Sequence, residues 1–245
     1  AKKWHIVYLD YAWGQSTRDA FSEQIKKNGG TVQGATGIPL GTADMTAFIS
    51  KITGDFDGIF AIMFGANAVT FTNQAYDLGL FRKAKYAGDG AVAESTHLQA
   101  LGQKVEGFVG INRYIPVFAK PLDTPHHKKF FDESKVLLKQ MDPSGPDPDR
   151  YVQSNFEAMN FLKLGIQKSG FKGREESMKL IEALEGMEVK EGDDFPQGDK
   201  VLRKEDHQAM LRQFIFDIKD GKHRLLETVG RDKVTVPPAC TFPKA

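Results

Sequence analysis

The 245-residue sequence has a single cysteine, Cys240. One thiol excludes an internal disulfide and a zinc cage built of several cysteines. No stretch approaches the roughly 20 consecutive apolar residues that a membrane-spanning helix needs. Charge of one sign is not in excess either: 33 Lys and Arg face 32 Asp and Glu, a formal net charge of +1. That balance generates no long-range field toward nucleic acid or an anionic membrane, so no nucleic-acid partner is expected. Internal repeats and low-complexity tracts are absent. What is present is ordinary for a folded domain: 40% apolar and 27% charged residues, enough chain for one large domain or two of average size.

The first 113 residues alternate short apolar runs with amphipathic segments. Residues 4–9 (WHIVYL) form an apolar run of strand length. A helix follows, with Ser16 expected as its N-cap, Phe21 and Ile25 on one face, and Gly29-Gly30 as its stop. A second strand is expected over 31–38. Asp44 is expected to cap a helix in which Met45, Phe48, Ile49 and Ile52 make one stripe. Residues 58–64 (GIFAIMF) are apolar throughout, as in a strand covered on both faces. Asn67 is expected to cap a helix carrying Ala68, Phe71, Ala75 and Leu78. A strand near 85–87, a helix near 94–101 and a strand near 107–111 continue the series. Repeated strand–helix–strand units predict an α/β, doubly wound parallel sheet.

The pattern then changes. Residues 113–123 are extended, with two prolines. Three helices follow with little strand between them: one opened by Thr124-Pro125 with Phe130, Leu137 and Met141 on one face, one over 148–169 with Val152, Phe156, Met159 and Ile166 aligned, and one over 174–184. Residues 210–218 and 224–229 return to strand around an Asp220-Gly221 turn, which signals a hairpin. Three amphipathic helices without a sheet of their own cannot bury their stripes.

At this point a family resemblance emerges. Asp10-Tyr11-Ala12-Trp13-Gly14-Gln15-Ser16 resembles the turn after a strand in the branched-chain amino-acid-binding, type I periplasmic binding proteins. So do Pro39-Leu40-Gly41-Thr42-Ala43-Asp44 with Phe48 and Lys51-Ile52, and Gln74-Ala75 with Gly79-Leu80. Arg203-Lys204-Glu205-Asp206-His207-Gln208 resembles a later segment of the same family. The resemblance implies two α/β lobes with ligand held between them, an extracytoplasmic or periplasmic location, no cofactor, and an ABC permease as partner. It also implies an order along the chain: 1–113 as the main part of lobe two, 114–207 as a remainder of lobe one with a hinge strand, and 208–245 as the return to lobe two and a tail. The chain opens on Ala1-Lys2-Lys3-Trp4, directly before its first strand. The resemblance thus leads to the expectation that the first half of lobe one belongs to a longer protein and that this chain alone binds weakly.

In an open parallel sheet, ligands collect beyond the carboxyl ends of the strands. Three junctions there carry useful groups: Tyr11 and Trp13, then Phe64 to Asn67, then Asp89 to Glu94, with Phe64, Gly65, Asp89 and Gly90 expected at the ligand. By resemblance, Trp13 and Phe64 occupy positions of cleft-lining aromatics, and Tyr151 falls where lobe one presents a ring. Amino-acid binders of the family place a carboxylate after the fourth strand to hold the ligand's ammonium. Here that position matches Gly90, with Asp89 just before it. Either Asp89 takes the ammonium or the ligand has none. The expected ligand is an amino acid, a small amide or an aromatic acid, captured without catalysis. A sensor of the same fold is the alternative. A nucleotide-dependent enzyme is less well supported: Gly88-Asp89-Gly90-Ala91-Val92-Ala93 matches GxGxxA but follows the fourth strand, with no acidic residue about 20 positions on at the end of another strand. His126-His127 stands at the start of a helix expected to be solvated, where adjacent side chains point apart and joint metal binding is not expected; Ser16 lacks a nucleophile elbow, and His207 reads as a structural hydrogen-bonding group.

Overall fold

The computed structural model describes residues 1–238, so Cys240 lies outside the described residues. The chain divides into two compact units. The first comprises Ala1–Asn112 with Ile215–Leu226, the second Arg113–Phe214 with residues 227–238.

In the first unit, β1 (Lys3–Leu9), β2 (Thr31–Ile38), β3 (Gly58–Ile62), β4 (Lys85–Asp89) and β5 (Val109–Asn112) pair in parallel. Between them run α1 (Ala12–Lys27), the single-turn α2 (Thr46–Ile49), α3 (Gly65–Asp77) and α4 (Ser95–Leu101). The last strands of the sheet arrive late in the chain and are given below.

α1 covers one sheet face. Its Phe21 stacks on Phe60 of β3 at 3.6 Å and meets the edge of Trp4 at 5.5 Å. α3 brings Phe71 toward Tyr86 of β4, whose hydroxyl shares a 2.8 Å hydrogen bond with Thr72. Burial pushes the Tyr86 phenol pKa up, so this hydroxyl stays neutral. Helices on both faces explain why Ile59, Ala61 and Ile62 of β3 have no exposure at all. The expected doubly wound parallel sheet is therefore present.

Two expected caps act elsewhere. α1 begins at Ala12, ahead of Ser16, whose hydroxyl donates to the Trp13 carbonyl at 3.1 Å. α3 begins at Gly65, ahead of Asn67, whose side-chain oxygen accepts from Gly41 N at 3.0 Å. Gln74 Oε1 accepts from Met45 N at 2.8 Å. Asn67 and Gln74 thus tie the loop after β2 to α3. Asp44 does accept from the Thr46 hydroxyl at 2.6 Å and from Thr46 N at 2.9 Å, which together hold its carboxyl below the usual carboxylate range.

In the second unit, α5 (Pro125–Met141), α6 (Arg150–Ser169) and α7 (Ser177–Leu184) surround an antiparallel sheet of β6 (Glu188–Val189), β7 (Lys200–Leu202) and β8 (Ala209–Leu211). This sheet corrects the expectation of helices with none of their own. Its strands are two and three residues long, too short to carry an alternation signal. β9 (Gln213–Lys219) and β10 (Lys222–Val229) then complete a seven-stranded sheet of order β10-β9-β5-β4-β3-β1-β2. They form the hairpin expected around Asp220-Gly221, both with positive φ (52° and 69°). A short α8 (Arg231–Val234) follows.

α6 leaves much of its apolar stripe exposed, in keeping with the expectation that these helices cannot bury their stripes, and buries another face. Gln153, Glu157, Phe161 and Gly165, four residues apart, are buried, while Phe156, Met159 and Ile166 are 37%, 65% and 36% exposed. Glu157 sits inside because Lys200 Nζ lies 2.8 Å away and Gln197 N donates to it at 3.0 Å. Burial pushes the Glu157 pKa up and the Lys200 pKa down, and their mutual attraction opposes both shifts. Gly165 is required because a Cβ there would meet Leu184 at 2.8 Å.

Candidate functional site

The strand order places the site. β1 leads outward to β2, whereas β3 leads the other way to β4 and β5. The chain thus leaves β1 and β3 toward opposite sides of the sheet, which makes their junction the topological switch point, where ligands of open α/β sheets collect. Tyr11 and Trp13 follow β1, and Phe64 follows β3.

Their three rings touch. Trp13 and Phe64 meet edge to face at 5.7 Å and 75°, Tyr11 and Phe64 at 6.4 Å and 71°, and Tyr11 and Trp13 at 6.0 Å and 38°. All three are half-buried. Trp13 also packs on the core cluster of Ile6, Tyr8 and Ile62, so it anchors α1 as well as presenting a ring. Gly14 permits that placement: a Cβ there would sit 1.9 Å from the Leu9 carbonyl oxygen. Gly65 has φ of 54° with open space where a side chain would be, so nothing crowds Phe64 from that side.

Helices α1 and α3 both begin at this rim, and neither has a side-chain cap nor an acidic residue in its first turn. Their unsatisfied N–H groups and dipoles make the local potential positive.

The carboxylates near the rim are engaged within the protein. Asp89 caps the 3-10 turn Gly90–Ala93, accepting from Ala91 N at 2.8 Å. The same turn is held by His97 Nδ1 donating to the Val92 carbonyl at 3.1 Å and His223 Nε2 donating to the Ala93 carbonyl at 2.6 Å. Gly90 packs so closely on β5 that a Cβ would lie 2.5 Å from the Ile111 carbonyl oxygen. Its backbone is covered by a strand, which leaves no approach for a pyrophosphate of the kind a dinucleotide turn accepts. Glu94 is 3% exposed and accepts from Asn112 Nδ2 at 3.1 Å. Asp10 accepts from Gln15 Nε2 at 2.9 Å and leans over Gly37 of β2, on the side of β1 away from β3.

Tyr151 belongs to the second unit, in the first turn of α6, where Asp149 caps the helix by accepting from Tyr151 N and Val152 N at 2.9 and 3.0 Å. Its ring is 46% exposed and carries the Arg150 guanidinium 4.9 Å above its centre.

The other histidines have structural partners. His126 Nδ1 bonds Asp193 at 2.5 Å. The helix start at His127, expected to be solvated, is instead buried: His127 has no exposure, donates from Nδ1 to the Leu122 carbonyl at 2.6 Å, and accepts at Nε2 from the Tyr114 hydroxyl at 2.9 Å. In the Arg203–Gln208 segment, Arg203 pairs with Asp206, and His207 bonds Glu185 at 3.0 Å. Two cavities lie away from the rings. One, of about 600 Å³, is at the amino-terminal ends of β3 and β4 beside Asp57, Lys85 and Tyr86. The other, of about 650 Å³, is in the second unit beside Gln153, Glu157 and Leu211. Topology and ring chemistry, rather than concavity, single out the switch-point rim.

A family model described as periplasmic binding protein matches residues 1–222. The chain belongs to the periplasmic binding protein family. Solved structures share its fold. A solute-binding protein of an ABC transporter from R. palustris, in complex with benzoate, superposes with a TM-score of 0.80 at 19% identity, covering 94% of this chain and 59% of that one. A solute-binding protein from Rhodopseudomonas palustris HaA2 in complex with p-hydroxybenzoic acid gives 0.80 at 22%, with coverages of 94% and 61%. A leucine-, isoleucine-, valine-, threonine- and alanine-binding protein from Brucella ovis gives 0.79 at 18%, with coverages of 100% and 62%. This periplasmic-binding-protein chain thus spans about three fifths of the length of these structural relatives. No curated protein sequence matches it. Among the described residues, no helix is long and apolar enough to cross a membrane.

Proposed function

We propose that this chain carries the solute-recognition surface of an extracytoplasmic binding protein that captures a small organic solute and presents it to an ABC permease. The first unit corresponds to lobe two of the family, and the second holds part of lobe one. The observation that carries the reading is the set of three touching rings, Tyr11, Trp13 and Phe64, at the switch point of a parallel sheet. A half-buried aromatic wall beside a few polar groups is the composition of a small-solute site. Capture needs no reacting group, and the histidines and carboxylates described above are engaged in holding the fold. The family relatives named for benzoate, p-hydroxybenzoate and aliphatic amino acids define the solute classes to test.

Thermal unfolding in amino acids, amides and aromatic acids at tens of millimolar tests this. A solute at ten times its Kd stabilises the folded state by about 1.4 kcal/mol, roughly 3–6 °C in a chain of this size. At least one class should raise the Tm, and Trp13→Ala should remove the rise. An unchanged Tm with every class would overturn the reading.

A further inference from the structure

We propose that the Tyr11–Trp13–Phe64 wall takes a planar aromatic monocarboxylate in preference to an α-amino acid, and that Asp89 is a cap for the Gly90–Ala93 turn, not an ammonium ligand. This rests on the function proposed above and narrows it to one substrate class.

The rings give the first argument. An aromatic cage that recognises a cation surrounds one point with several ring faces. Here Phe64 meets Trp13 and Tyr11 edge to face and Tyr11 is tilted 38° to Trp13, with centroids 5.7 to 6.4 Å apart, so the three rings pack on one another and do not surround a common point. They form a continuous wall. A flat ring extends that edge-to-face array with favourable quadrupole contacts, which a branched aliphatic side chain lacks.

Charge gives the second. Recognition of an α-amino acid calls for an acceptor that gains by pairing with the ammonium. Asp89 accepts from Ala91 N, Glu94 is buried against Asn112, and Asp10 is drawn to Gln15 on the β2 side. An ammonium at Asp89 would share a carboxylate that already accepts the Ala91 N–H. The amino-terminal ends of α1 and α3 beside the rings repel an ammonium and favour a carboxylate. The rim's carboxylates are thus already bonded within the protein, whereas its helix ends favour an anion such as benzoate.

Saturation-transfer NMR on the 245-residue chain, with benzoate, 4-hydroxybenzoate and leucine as probes, tests this at millimolar affinity. Benzoate and 4-hydroxybenzoate should bind at least tenfold more tightly than leucine. Trp13→Ala should weaken benzoate binding at least tenfold, whereas Asp89→Asn, which keeps a capping oxygen, should change it by less than about twofold. Leucine binding equal to or tighter than benzoate, or loss of binding in a folded Asp89→Asn, would overturn the inference and leave the binding-protein function standing. No transfer from any of the three probes would overturn the inference, whereas the function proposed above falls only with an unchanged Tm in every solute class. Circular dichroism of each variant separates loss of a contact from loss of the fold.

Discussion

At the scale of single residues, burial decides which ionisable groups respond to pH. His127 has no exposed surface, and desolvation is the main cause of its lowered pKa. Its Nδ1 must keep a proton for the Leu122 carbonyl, and its Nε2 must stay bare to accept from Tyr114. Charging the ring would destroy the second bond. The unfolded chain therefore binds more protons than the folded one between the lowered folded pKa and the unfolded value of about 6.5. Within that window stability rises with pH, so acidification from pH 7.5 toward 5 should lower the urea midpoint. His5, also lowered by burial, acts in the same direction. His127→Gln should show a lower midpoint at pH 7.5 and a shallower fall on acidification. A fall as steep as the wild type's would show that His127 does not contribute. None of this was readable from His126-His127 as a pair, because neighbouring helix positions share no environment and only packing decides which one is inside.

At the scale of elements, α6 shows how a polar pair can outrank an apolar stripe. Its sequence spacing aligns Val152, Phe156, Met159 and Ile166, yet the buried face carries Gln153 and Glu157, held by Lys200 and Gln197 across from β7. Removing one member of a buried ion pair leaves an uncompensated charge, which costs about 3–5 kcal/mol. Lys200→Met should therefore lower stability by that amount in urea titration, and Glu157→Met with Lys200→Met should recover most of it. If the double variant were no more stable than the single, the cost would lie in packing around Lys200 instead. The first unit behaves differently: its strands are apolar throughout, and the alternation with helices appears in the structure in the expected order. The starts of α1 and α3 lie ahead of the expected ones, because Ser16 and Asn67 bond to the Trp13 carbonyl and to Gly41 N instead of capping.

At the scale of the whole molecule, the exposed apolar residues of α5 and α6 are the main departure from an ordinary surface. Leu137, Met141 and Met159 are 60%, 85% and 65% exposed, beside Phe156 at 37%. Single exposed apolar side chains are common, but several on two helices of one unit make a hydrophobic surface. The chain should bind 1-anilinonaphthalene-8-sulfonate while fully folded. Leu137→Lys with Met159→Lys should reduce that fluorescence without lowering the Tm; undiminished fluorescence would place the dye elsewhere. The sequence by itself determined the parallel sheet of the first unit, because strands covered on both faces must be apolar and the turns between them must carry breakers. It also determined which aromatics stand at the strand ends, since a glycine-bearing turn after a buried strand can lead only to the rim. Only tertiary structure decided that Tyr11, Trp13 and Phe64 meet as one wall, because that depends on β1 and β3 being neighbours despite the strand and two helices between them. It alone also decided that Glu94 is buried, because β5 brings Asn112 within hydrogen-bond reach of its carboxylate.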